Sequence, residues 1–184
     1  MPRAAIAIIM LLLAFPANAT EAGWALVRNG GQVVLINHAN APGTGDPANF
    51  NIDNCATQRN LSDRGRQQAR RMGALFFARA APIERILTSR YCRAIDTATF
   101  AFGESEVEEF PALDPLAAEE DAAKEQLDAI RERILDHTGS GNLLMVTHPS
   151  VITALTGVQP RDSEAIILSR SAEAIGAAAR ISFN

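Results

Sequence analysis

The chain has 184 residues, with 17 basic against 21 acidic side chains and a formal charge of −4. That balance argues against nucleic acid, or an anionic membrane surface, as a partner held by charge. Two cysteines, Cys55 and Cys92, are too few for a disulfide scaffold or a tetrathiolate zinc site.

Arg3 precedes an apolar run, Ala4 to Phe15 (AAIAIIMLLLAF), and then PANAT. Ala17-Asn18-Ala19 has the small-x-small form accepted at secretory cleavage sites. Residues 1–19 are therefore expected to be a signal peptide, and residues 20–184 one exported domain of the bacterial periplasm or the medium. The apolar run is too short to anchor the chain, since a span needs about 20 residues to cross roughly 30 Å of hydrocarbon. Loss of Arg3 with the leader would leave 16 basic residues against 21 acidic, a charge of −5. The remaining chain can bury about 70% of its unfolded surface in a single core.

Glu21 to Asn29 is expected to form a short helix stopped by Gly30-Gly31. VVLIN (33–37) predicts a buried strand, short and β-branched between turn residues. An irregular segment, 38–60, follows, with Pro42, Gly43, Gly45 and Pro47; loops of that length in a compact domain tend to be functional. Ser62 is placed to cap a helix with Ala69, Met72, Leu75 and Phe76 on one face. RILTS (85–89) predicts a strand, CRAIDTATFAF (92–102) a helix and VEEFPAL (107–113) an edge strand. A long helix is expected over 117–138, with Leu127, Ile130, Ile134 and Leu135 inward. NLLMVT (142–147) predicts a fully buried strand, and PSVITALTG a helix with Pro in its first turn and Gly past its end. EAIILSR and AAARISF close the chain as strands. Strands separated by helices imply a three-layer α/β/α sandwich around a mostly parallel sheet.

Ligands of open α/β sheets bind beyond the carboxyl ends of the strands. His38 directly follows VVLIN, and His148 directly follows NLLMVT. One histidine at a strand end is usually structural, but two at the ends of the most apolar strands form a pattern. The third, His137, sits near a helix C-terminus, where an imidazolium complements the dipole. Arg59, Arg90 and Arg93 gather at the same edge. Guanidinium groups meeting histidines there suit a phosphate, which they bind as a bidentate fork.

The segments VVLINHA, LSDRGRQQARRMG, TSRYCRAIDTATFAFG and LLMVTHPSVITAL, in that order from about Gln32 to Gly157, resemble the histidine phosphatase superfamily, whose fold is phosphoglycerate mutase-like. The short layout is similar to its small phosphohistidine-phosphatase branch and related exported phosphatases. The resemblance implies that His38 is the nucleophile that becomes phosphohistidine. Arg93, His148 and Arg59 would hold the phosphoryl oxygens. A neutral imidazole would attack phosphorus in line and water would cleave the phosphoenzyme, with no cofactor and no metal. Asp96 lies where the family carries Gln or Glu. Asp114 and Glu119, with Glu120 and Asp121, lie where many members carry a general acid, although acids at a helix start equally suit the dipole.

The departure is Asn37, where the family has an arginine before the nucleophile. As a substrate-binding residue it brings a hydrogen bond without charge, which implies a slow enzyme unless Arg28 or Arg90 substitutes. Cys55 and Cys92 belong to loops that would meet at the phosphate, and either pair there or stay as buried thiols. The expected partner is a small phosphorylated substrate or a phosphoprotein. Two other readings stay open: a non-catalytic phosphate- or phospholigand-binding protein on this fold, and a metal site from His38, His148 and Asp46 or Asp53.

Overall fold

The computed structural model describes residues 17–171 and 174–183; most of the expected leader, residues 1–16, lies outside them. The strands are β1 (Val33–Asn37), β2 (Ile83–Thr88), β3 (Val107–Glu109), β4 (Asn142–Thr147), β5 (Glu164–Arg170) and β6 (Ile175–Ser182). The helices are α1 (Ala17–Asn29), α2 (Asp63–Ala78), α3 (Cys92–Phe102), α4 (Glu120–Leu135) and α5 (Pro149–Thr156). Every residue of β1 and β4 is buried, which fits continuous apolar runs covered on both faces.

One mixed sheet runs in the order β3-β2-β4-β1-β5-β6. β1 and β2 lie parallel to β4 on either side, and β3 lies parallel to β2 at the edge. β5 is antiparallel to both β1 and β6. Strand alternation divides the core in two. Val34 and Ile36 face Trp24 and Val27 of α1, Met72 and Phe76 of α2 and Ala94 and Ala98 of α3. Val33 and Leu35 face Ile130 and Ile134 of α4 and Val151, Ile152 and Leu155 of α5. Each fully buried aliphatic side chain contributes roughly 1.5–3 kcal/mol. The three-layer sandwich follows directly from that pattern.

Two expectations fail for local reasons. The edge strand stops at Glu109, because Pro111 opens a 3₁₀ turn, Pro111–Leu113, that carries Leu113 fully into the core. The long helix is shorter at both ends than 117–138, and Leu135 is 43% exposed rather than inward. Ile130 and Ile134 share a face at a spacing of four, and Leu135 is turned about 100° further round. Among the described residues, no helix is long and apolar enough to cross a membrane.

Candidate active site

The ends of β1 and β4 are neighbours in the sheet, so the residues after them are brought together by the register itself. His38 continues β1 by donating its N–H to the Thr147 carbonyl at 3.1 Å, and its own carbonyl accepts from Ser163 at 3.1 Å. His38 and His148 are 3% and 2% exposed, with ring centroids 5.3 Å apart, edge to face. His38 Nδ1 lies 2.8 Å from the Ala39 carbonyl, which can only accept, so Nδ1 carries the hydrogen and Nε2 the lone pair. Burial, opposed by that hydrogen bond and reinforced by the charges of Arg93 and Arg59, brings the His38 pKa down to about 4. The ring is neutral at physiological pH, with the Nε2 lone pair free of any partner.

His148 is set by a relay. Its Nε2 lies 2.8 Å from Ser89 Oγ, and Ser89 donates its hydroxyl hydrogen to Asp114 at 2.9 Å. Ser89 therefore accepts from His148, which fixes the hydrogen on Nε2. Burial first, then the charges of His38, Arg93 and Arg59, holds the His148 pKa well below the ordinary range. Tyr91 walls the same space, its ring 5.1 Å from His148 and 4.6 Å from the Arg93 guanidinium carbon.

Arg93 stands in the first turn of α3, 3% exposed, and its Nη1 reaches the two oxygens of Asp46 at 3.0 and 3.2 Å. The Asp46 carboxylate also accepts the Arg59 backbone N–H at 2.9 Å, while the Arg59 side chain donates to the Ala41 carbonyl. Two further ties join the long loop 38–60 to Cys92 of α3. Cys55 and Cys92 form a disulfide with Cα atoms 5.7 Å apart. Gln58 accepts the Cys92 N–H at 3.0 Å and donates to the Asn51 and Ile52 carbonyls.

The polar residues of the quoted motifs acquire physical roles here, and several were not singled out from the sequence. Ser62 caps α2 and also donates to Asn40 Oδ1 at 2.6 Å. A Cβ on Gly65 would stand 2.2 Å from the Asn40 carbonyl oxygen, so the helix can approach the loop after His38 only with glycine there. Gln68 accepts the Asn40 N–H, and Thr97 accepts the Ala39 N–H at 2.9 Å while donating to the Arg93 carbonyl. Thr97 thus locks the chain after His38 to the helix that carries Arg93. Ser89 and Thr97 looked like ordinary small polar residues because their partners lie 59 and 58 positions away.

Other candidates are placed differently. Asn37 is 1% exposed and its amide donates to the Arg161 carbonyl at 2.8 Å. Asp114 is at the site edge, but its oxygens accept from Ser89 and from the Arg90 backbone and guanidinium. It orients Ser89 and holds Arg90, which is therefore not a substitute for the missing arginine. Arg28, in the last turn of α1, lies at the opposite end of β1 and is exposed. Glu119 is exposed at the start of α4 with no side-chain capping bond. Burial pushes the Asp96 carboxyl up and Arg66 opposes it. His137 lies just past α4, 3.0 Å from the Gly141 carbonyl. Among the described residues, no three His, Cys, Asp or Glu side chains gather as metal ligands, and Asp46 is spent on Arg93.

Among the described residues, five buried side-chain atoms lack a hydrogen-bond partner: Asn37 Oδ1, His38 Nε2, Arg59 Nε, Arg93 Nε and Ser163 Oγ. An unmade buried bond costs about 1–3 kcal/mol, so such groups are rarely left without reason. They lie at the end of β1, in the loop 38–60, in the first turn of α3 and just before β5. Two guanidinium N–H donors complement anionic oxygens, and one imidazole lone pair complements an electrophilic centre such as phosphorus.

The fold is the phosphoglycerate mutase-like fold of the histidine phosphatases. Residues 33–117 match the model of the histidine phosphatase superfamily (branch 1), a span that holds His38, Arg59 and Arg93. The protein histidine phosphatase SixA, in its tungstate complex, superposes with a TM-score of 0.61 at 18% identity over 83% of this chain and 97% of that one. An Escherichia coli protein named as an α-ribazole-5′-P phosphatase gives 0.62 at 17% identity, over 83% and 97%. Phosphoserine phosphatase from Entamoeba histolytica, in complex with 3-phosphoglyceric acid, gives 0.58 at 13%, over 82% and 96%. A sequence comparison with curated proteins finds no match. The family model spans residues 33–117, short of half the chain, and the structural neighbours, all below 25% identity, share its fold.

Proposed function

We propose that the chain is an exported phosphomonoesterase that passes a phosphoryl group through His38. The observation that carries this reading is the buried, unpartnered Nε2 lone pair of His38 beside the unpartnered Nε–H groups of Arg59 and Arg93. His38 attacks phosphorus, the two guanidiniums hold the oxygens on which charge develops, and His148, Ser89 and Asp114 fix the opposite wall. Water then releases phosphate from the imidazole. The substrate is a small phosphorylated molecule or an exposed phosphorylated side chain. Export is supported by the leader-like residues 1–19 and by a disulfide, which persists in oxidising compartments.

The test is a rapid quench during turnover of phosphomonoesters. Acid-labile, base-stable phosphate is expected on His38, and His38→Ala is expected to lose both the label and at least about 10⁴-fold in rate. Equal hydrolysis by the alanine variant would sink the mechanism. The uncharged Asn37 favours a second reading, a phosphate-binding protein without turnover; tight phosphate binding with no phosphoenzyme in the wild type would establish it.

A further inference from the structure

We infer that the site takes the phosphoryl group in its singly charged, once-protonated form, and that Asp46 is the residue that sets this choice. The inference rests on the phosphatase reading for its substrate but is tested through binding. Arg93 is almost wholly buried, and a carboxylate already shares its fork: Asp46 lies 3.0 and 3.2 Å from Nη1 and also takes the Arg59 backbone N–H. Asp46 reaches that position from a tight loop in which Gly43 and Gly45 have φ of 105° and 82°, which glycine adopts without strain.

The charges around the site can be counted from every side. Arg59 and Arg93 bring two positive charges, and Asp46 brings one negative charge. His38 and His148 are buried and neutral, burial pushes the Tyr91 phenol up, and the Asn37 amide is committed to the Arg161 carbonyl. The Arg90–Asp114 pair cancels, and Asp162, exposed beyond Asn40, adds only a weak negative field. The inner pocket therefore carries one net positive charge. A singly charged phosphoryl group balances it, whereas a dianion leaves a buried excess charge beside the Asp46 carboxylate.

The proton has a use. Both Asp114 oxygens accept hydrogen bonds and Glu119 is exposed, so neither stands ready to protonate a leaving group. A once-protonated phosphate ester carries that proton itself. As the bond from His38 Nε2 to phosphorus forms, the bond to the ester oxygen breaks and its electron pair stays on that oxygen. The phosphate proton follows to give the alcohol. The phosphoimidazolium left behind, with Nδ1 still protonated towards Ala39, has the same net charge of minus one as the reactants. Asp46 acts here as a specificity-determining residue, through the charge it places on Arg93.

The decisive measurement is calorimetric titration with inorganic phosphate at pH 5 and pH 8, in buffers of different ionisation enthalpy. At pH 8 the wild type is expected to take up about one proton per phosphate bound. Asp46→Asn, which keeps an acceptor for the Arg59 N–H, is expected to take up markedly fewer and to bind at least about tenfold tighter at pH 8, with little change at pH 5. With phosphoserine as substrate, the wild-type kcat/KM should fall above about pH 6, where the ester loses its second proton. That limb should move upwards in Asp46→Asn, and Asp46→Ala should behave the same way. Weaker binding at pH 8 in both folded variants, or loss of kcat at every pH, would overturn the inference and make Asp46 a scaffold or a proton donor. Proton uptake without any phosphoenzyme on His38 would sink the phosphatase reading alone, and no phosphate binding by the wild type would sink both.

Discussion

The two ends of the sheet carry similar side chains and treat them in opposite ways. At the amino-terminal end of β2 and β4 lies a cleft of about 520 Å³ lined by Glu84, Arg85, Arg133, Asp136 and His137. Three of its polar side chains are partnered: Glu84 accepts the Gly141 N–H, His137 meets the Gly141 carbonyl, and Arg85 grips Glu108 through two nitrogens. Nearby, Arg170 donates to the carbonyls of Ile134, His137 and Gly31. At the carboxyl-terminal end, the Nε–H of Arg59 and Arg93 and the Nε2 of His38 are buried and unanswered. The cleft at the amino-terminal end is held by partnered groups, whereas the unpartnered ones gather at the carboxyl-terminal end. Buried polar atoms without partners are rare, so their clustering at one end of the sheet distinguishes it from the other.

The comparison is sharpest when one guanidinium is removed from each end. Arg93→Ala, Arg59→Ala and His148→Ala are each expected to lower kcat by about 10²–10³, roughly 2.7–4 kcal/mol, and to weaken phosphate binding. Arg170→Ala removes three hydrogen bonds to carbonyls yet is expected to leave kcat unchanged and to lower the melting temperature instead. If the Arg170 variant lost activity without melting earlier, the two ends would not be functionally separate.

The disulfide belongs to the site end only. It joins residues 37 apart and binds the loop that carries Asp46 and Arg59 to the helix that carries Arg93. Cys55→Ser with Cys92→Ser is expected to cost about 3–4 kcal/mol of stability in the chain-entropy model. Phosphate affinity should fall with it, which calorimetry on the folded double variant would measure. Undiminished affinity would show that the Gln58, Asp46 and Thr97 contacts hold the loop without the disulfide.

Acid separates the ends again. His38 has a pKa of about 4 in the fold against an ordinary value of 6.5, so between those values the unfolded chain binds a proton that the folded one does not. Stability from burying neutral His38 is thus present above about pH 6.5 and is lost as pH falls towards 4, at up to about 1.4 kcal/mol per pH unit. His148 acts in the same direction. Denaturant unfolding from pH 7 to 4 should show that decline, and His38→Ala should flatten it; an equal slope in both would place the acid-sensitive group elsewhere.

Much of this was legible in the sequence because it is local. β1, α3 and β4 begin and end where their periodicity and caps require, and a histidine after each buried strand is a fact of adjacency. Leu135 and the segment after Glu109 were misread because one residue of helical phase, or one proline, decides them. The relay through Ser89 and the Asp46–Arg93 pair was not legible. Each joins residues far apart in sequence through ordinary polar side chains, and only the parallel register and the loop path bring them together.

The smallest expected effect, and the most informative about the site end, belongs to Asn37→Arg. Asn37 is 1% exposed, holds the Arg161 carbonyl through Nδ2 and leaves Oδ1 without a partner. An arginine could keep the bond to that carbonyl with one nitrogen and offer others to the phosphoryl oxygens. Charge-assisted bonds are about twice as strong as neutral ones, so kcat/KM is expected to rise about tenfold, or 1.4 kcal/mol. Fitting the longer side chain into a buried place should cost about 1–3 kcal/mol of stability by overpacking. The substitution also adds at position 37 the same unit of charge that Asp46→Asn uncovers at position 46. If the pocket is limited by its charge, the two variants should each relieve the same deficit, and the double variant should gain less at pH 8 than the product of the single gains. A folded Asn37→Arg protein with lower activity and weaker phosphate binding would instead mean that the loop after α5 has closed around the amide, and that the site end is shaped for fewer charges than its relatives carry.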